Sequence, residues 1–102
     1  MVLVYITFKD LDEARRIGKL LVLERLAACV NIFPGIESFF LWEGNLEQAE
    51  EVVMVAKTAE EKVEAVTKAV LGQHSYSVPA IIVVPVIGGN ADFIEWVCDV
   101  GR

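Results

Sequence analysis

The sequence predicts an α+β domain of the ferredoxin-like, split βαβ kind, in the order βαββαβ with a short C-terminal helix. Three observations point there. The hydrophobic period switches between that of a strand and that of a helix in this order along the chain. Two β-rich runs meet at Glu43-Gly44-Asn45, which reads as a hairpin turn. The hairpin those runs form is also longer than the helices available to cover it. At 102 residues there is chain for one core, so residues 1–102 read as a single domain.

Val2–Phe8 is apolar and β-rich, the signature of a buried strand. Asp10 is placed to cap a helix, with Glu13 three residues on. That helix is expected to run through about Leu26, with Leu11, Ala14, Ile17 and Leu21 inward and Glu13, Arg16 and Lys19 outward. Its charged end should pass directly into a strand at about Ala28–Phe33, with Cys29 and Asn31 on one face and Ala28, Val30 and Ile32 on the other. Pro34-Gly35 interrupts this strand, which resumes at Ile36–Trp42. The third strand extends through about Lys57.

Thr58-Ala59-Glu60-Glu61 reads as a capping box for a second helix whose inner face is Val63, Val66, Val70 and Leu71. Gly72 lies where that helix should stop. Ile81–Val86 is the fourth strand, and Pro85 within it favours an edge or a bulge. Gly88-Gly89 is a turn, and Asn90 caps a terminal helix at Ala91–Val100 carrying Phe93, Trp96 and Val97.

A helix of about 16 residues spans ~24 Å. A strand over 28–42 reaches ~50 Å if nearly straight. The hairpin therefore overhangs its cover and carries Phe39, Phe40, Leu41, Trp42, Val52 and Val53 with it. An apolar overhang of this kind is an association element. The hydrophobic fraction of 55% agrees, because it exceeds what one small core consumes.

Net charge of −6 with no basic cluster argues against a nucleic-acid partner. No apolar run approaches the ~18–20 residues of a membrane span. Met1–Ile6 shows no basic leader, and Cys29 and Cys98 have no metal spacing. They read as free thiols of a cytoplasmic protein.

These residues resemble the CutA family of divalent-cation tolerance proteins. The matching stretches are Arg25–Asn31, Ser38 with Trp42-Glu43-Gly44, Glu50-Glu51 leading to Lys57-Thr58, His74-x-Tyr76-x-Val78-Pro79, Ile81–Val86 and Gly89-Asn90 with Trp96. The resemblance implies a ferredoxin-like fold and a homotrimer built through the long hairpins, with clefts between subunits. It also implies a link to copper and other divalent cations, assembly similar to PII-like signalling trimers, and no established catalytic activity. Ser75, Ser77, Phe40, Asn45 and Ala80 depart from common family residues. Ile6 and Gln73 stand where copper-binding relatives place a cysteine and a second histidine.

Within that frame, Cys29 is either a soft-metal ligand or a small packed strand residue. His74, the only histidine, is either a metal ligand or a cation at a helix end. The expected metal is copper or another divalent cation, bound weakly at or near the clefts, with no required cofactor. Tyr76, Lys57, Glu51 and Asn31 are expected to line the inter-subunit cleft, either binding a small anionic effector or forming an interface network. No nucleophile triad, phosphate-binding glycine loop or zinc ligand pattern is present, and Phe8-Lys9-Asp10 lacks the arginine used by acyl-phosphate hydrolases of this fold. A non-enzyme is expected.

Overall fold

Asp10 begins the first helix as its sequence position demands, on extended backbone and with its carboxylate accepting the Glu13 N–H at 2.9 Å. The computed structural model describes residues 1–100. Its elements are β1 (Val2–Phe8), α1 (Leu11–Leu23), β2 (Cys29–Trp42), β3 (Asn45–Thr58), α2 (Val63–Gln73), β4 (Ile81–Pro85) and α3 (Ala91–Asp99). The strands form one antiparallel sheet in the order β2-β3-β1-β4. The expected split βαβ topology is therefore present.

Strict alternation on β1 buries Val2, Val4, Ile6 and Phe8 against the helices. Val52, Met54 and Ala56 of β3 join them, with Ala14, Ile17 and Leu21 of α1 and Val66 and Val70 of α2. Each fully buried large side chain here contributes about 1.5–3 kcal/mol. Gly18 lets α1 approach closely, since a Cβ there would lie 3.1 Å from both Met54 Cε and Val30 Cγ2.

Five local expectations are corrected. α1 stops at Leu23, and the chain turns through Arg25 in the left-handed region (φ 59°) before entering β2. The Leu26 and Ala27 N–H groups return to Leu21 O, which drops Ala27 into the core. Thr58 makes no capping box: its buried hydroxyl donates to Leu26 O at 2.7 Å, and a 3-10 turn at Glu60–Lys62 leads into α2. α2 runs through Gly72 to Gln73, and Leu71 is exposed. Arg16 holds the end of α2 by donating to the Gln73 side chain and carbonyl at 2.9 and 3.2 Å. Glu13, expected on the wet face, is buried.

The β2–β3 ladder slips between Phe33 and Ile36, where Pro34-Gly35 forms a bulge and Gly35 adopts φ 76°. Glu43 and Gly44 both have positive φ and form a two-residue turn, so Asn45 belongs to β3 opposite Trp42. β1 pairs with β3 only from Val52 to Thr58, leaving the outer hairpin as a bare arm. Phe39, Leu41, Trp42 and Leu46 on the arm are more than half exposed. Val52 and Val53, expected to overhang, are buried because they lie opposite Phe8 and Thr7. The longest dimension is 46 Å, set against 26 and 22 Å.

Pro85 sits on β4, an edge strand, where its missing N–H costs no ladder bond. α1 and α2 cover one sheet face. The terminal helix meets the other: Lys57, which alternates away from buried Ala56 and Thr58, places Nζ 5.3 Å from the Phe93 ring centroid. Among the described residues no helix is long and apolar enough to cross a membrane.

Candidate functional site

The end of α2 delivers His74 into the rim of the core. Its side chain is fully buried and its ring stacks on Phe8 at 4.8 Å between centroids. Nδ1 accepts the Tyr76 N–H at 3.0 Å, so the ring proton is on Nε2, which donates to Thr7 O at 2.7 Å. Both ring nitrogens are thus engaged. A metal at His74 would have to displace Tyr76 N–H or Thr7 O.

Beside it, Glu13 of α1 is 5% exposed and accepts the Ser75 N–H at 3.0 Å. Its Oε1 lies 3.3 Å from His74 Nδ1, and its Oε2 lies 3.9 Å from Lys9 Nζ. Burial pushes the Glu13 carboxyl up. The Ser75 hydrogen bonds, His74 and Lys9 together outweigh it and hold the group below its ordinary value.

Tyr76 continues the cluster across the end of β1. Its ring is 4.9 Å from His74, and its hydroxyl donates to Glu51 Oε2 at 2.8 Å. Burial and the Glu51 carboxylate push the phenol up to about 12. Loop 75–78 is therefore gripped by two carboxylates, one on a helix and one on the hairpin. Glu13 was missed in sequence. Its signal was present: four residues before Ile17 and adjacent to Ala14, it flanks the apolar stripe of α1.

The remaining sequence candidates form a second group. Cys29 and Lys57 are cross-strand partners, and Asn31 lies opposite Val55, one pair along on the same sheet face. Cys29 is half-buried and free, which matches neither a sealed core thiol nor a formed ligand set. Lys57 is six residues along β3 from Glu51, about 20 Å at strand rise. Asn31 with Lys57 and Glu51 with Tyr76 are thus two separate pairs within one chain, and His74 and Cys29 do not converge. Among the described residues no group of three or more His, Cys, Asp or Glu side chains is placed to hold a metal ion.

Comparison with known proteins identifies the family. The family described as CutA1 divalent ion tolerance protein matches residues 2–100. The divalent-cation tolerance protein CutA of Archaeoglobus fulgidus is 48% identical over 94 residues, covering 92% of this chain and 91% of that one. The chloroplastic protein CutA 1 of Oryza sativa subsp. japonica is 40% identical over 95 residues, covering 93% of this chain but only 54% of its own length. The solved structure of the periplasmic divalent cation tolerance protein CutA from Archaeoglobus fulgidus superposes with a TM-score of 0.91 at 47% identity, covering 95% of each chain. That of the divalent cation tolerance protein from Thermus thermophilus gives 0.93 at 37% identity, with 97% of each chain covered. The Archaeoglobus fulgidus and Thermus thermophilus relatives are named as divalent-cation tolerance proteins. On sequence and fold together, the chain belongs to the CutA1 divalent ion tolerance protein family.

Proposed function

We infer that this protein acts as a non-catalytic homotrimer in the cytoplasm, supporting divalent-cation tolerance by binding copper or a similar ion weakly between subunits. The observation that carries the reading is the apolar surface one chain leaves uncovered. The arm exposes Phe39, Phe40, Leu41, Trp42 and Leu46, while Phe33, Ile82 and Val84 expose the sheet face away from α1 and α2. Surface on this scale calls for a partner, and a second and third copy supply the same face. The free thiols fit a reducing compartment.

Among the described residues no donor set converges within one chain, so on this reading the donors come together across a subunit boundary. Cys29 offers a half-buried thiol there, and His74 joins only if loop 75–78 releases a ring nitrogen. Light scattering is expected to give three chains per particle, and copper titration by calorimetry is expected to weaken in Cys29→Ala and His74→Ala. A monomer at micromolar concentration sinks the assembly; unchanged copper binding in both variants sinks the ligand assignment.

A second reading rests on Lys57. Its ammonium lies over Phe93 near Asn31 on an open face, a donor pair suited to a small anionic effector, as in PII-like modules. Tyr76 and Glu51 would complete such a cleft only from a neighbouring copy. A thermal shift from an anionic metabolite that disappears in Lys57→Ala supports this reading. A metabolite panel that leaves the melting temperature unmoved ends it.

A further inference from the structure

A trough of about 390 Å³ runs between α1 and the start of β2, walled by Val22 and Leu23 of the helix and by Val30 and Ile32 of the strand. Gly18 lies at its floor, where an added Cβ would stand 3.1 Å from Val30 Cγ2 and 3.8 Å from Ile32 Cδ1. The trough opens on the helix side of the sheet, because Val30 and Ile32 pair with the core residues Ala56 and Met54. No residue of the arm, and none of the opposite sheet face carrying Phe33, Ile82 and Val84, lines it.

Two cations, Arg15 and Lys19, border this apolar space. They are four residues apart on one face of α1, a spacing at which like charges repel. Both are exposed, and among the described residues neither forms a hydrogen bond or an ion pair. Lys9, Arg16 and Lys62 are by contrast each engaged. No acidic residue lines the trough, although acidic residues outnumber basic ones by 15 to 9 along the chain.

We propose that this trough binds a small amphipathic anion, a medium-chain carboxylate, with its alkyl tail along Val22, Val30 and Ile32 and its head at Arg15 and Lys19. Burial of the tail supplies the affinity. The paired positive charge selects the sign of the head and fixes which way the tail runs. A compact anion would leave the apolar walls wet, and an uncharged chain would leave the two cations repelling each other. The size lies within the range of small-ligand pockets.

The test is titration of the full chain with sodium octanoate below its micelle threshold, followed by calorimetry and by backbone amide chemical shifts. Hexanoate and octylammonium chloride, the same tail with the opposite charge, are run beside it at matched ionic strength. Octanoate is expected to saturate in the millimolar range and to move the Gly18, Val22 and Val30 amides. Hexanoate is expected to bind severalfold more weakly for its two missing methylenes. Arg15→Gln with Lys19→Gln is expected to weaken octanoate by about fivefold, what two exposed charge pairs supply. Leu23→Ser weakens it severalfold, whereas Lys68→Gln, which removes an exposed cation of α2 outside the trough, leaves it unchanged. Octanoate that moves none of those amides, equal shifts from octylammonium, or full affinity in the double variant overturns the proposal. So does a fall in particle mass in the double variant by light scattering, because the trough would then be a contact between copies.

Discussion

Glu13 shows how one side chain changes meaning when it is buried. A carboxylate in the first turn of a helix favours the dipole wherever it points. Here it also accepts the Ser75 N–H across 62 residues of sequence. Glu13→Ala removes that acceptor and leaves the amide unpaired, with an expected loss of about 2 kcal/mol in denaturant unfolding. The pH dependence follows from direction. The folded Glu13 value is below its ordinary 4.5, so its contribution is complete above about pH 4.5 and is lost as pH falls through the lowered value. Tyr76 works in the opposite sense. Its folded value is raised to about 12, so its contribution is complete below pH 10 and gone above about 12. Tyr76→Phe is expected to cost about 1 kcal/mol at neutral pH and to flatten the alkaline limb of a melting-temperature profile.

At the scale of the element, two glycines separate space from conformation. Gly18 lies where an added methyl meets Met54 Cε and Val30 Cγ2 at 3.1 Å, both ends of side chains that can shift. Gly18→Ala is expected to cost about 1 kcal/mol through overpacking at the α1–β2 contact. Gly35 has nothing within 4 Å of an added Cβ but sits at φ 76° in the bulge. Gly35→Ala is expected to cost a similar ~1 kcal/mol through backbone strain alone. Thermal melts distinguish them, because enlarging Gly18 further to Val should deepen its loss, since the larger side chain presses on Met54, Val30 and Ile32 together. The boundaries of β1, the Asp10 cap, the Pro34-Gly35 interruption and the edge placement of Pro85 were legible because each depends on neighbours in sequence. The turn at Arg25 was not. It exists to bring Ala27 onto the core, and no local residue demands it.

For the whole molecule, the decisive feature is the arm, which β1 leaves unpaired beyond Val52. Phe39→Glu with Leu41→Glu places charge on its exposed face and is expected to lower the mass seen by light scattering from the three chains of the proposed assembly toward one. A retained trimer would move the association surface to the sheet face carrying Phe33 and Ile82. The length mismatch between hairpin and helix announced this arm in sequence, but overstated it. Val52 and Val53 were assigned to the overhang because strand length says nothing about how far the neighbouring strand extends.

By itself the sequence determined the order of elements, the long hairpin and the family signature, since periodicity, turn chemistry and caps act over a few residues. Tertiary structure decided what the polar residues of Arg25–Asn31 and His74–Pro79 do. His74 is stacked on Phe8 with both nitrogens bonded, Cys29 stands beside Lys57, and Tyr76 reaches Glu51. Hydrogen-bond partners are chosen where separate elements converge, and burial then forces each polar group to use the partner it meets.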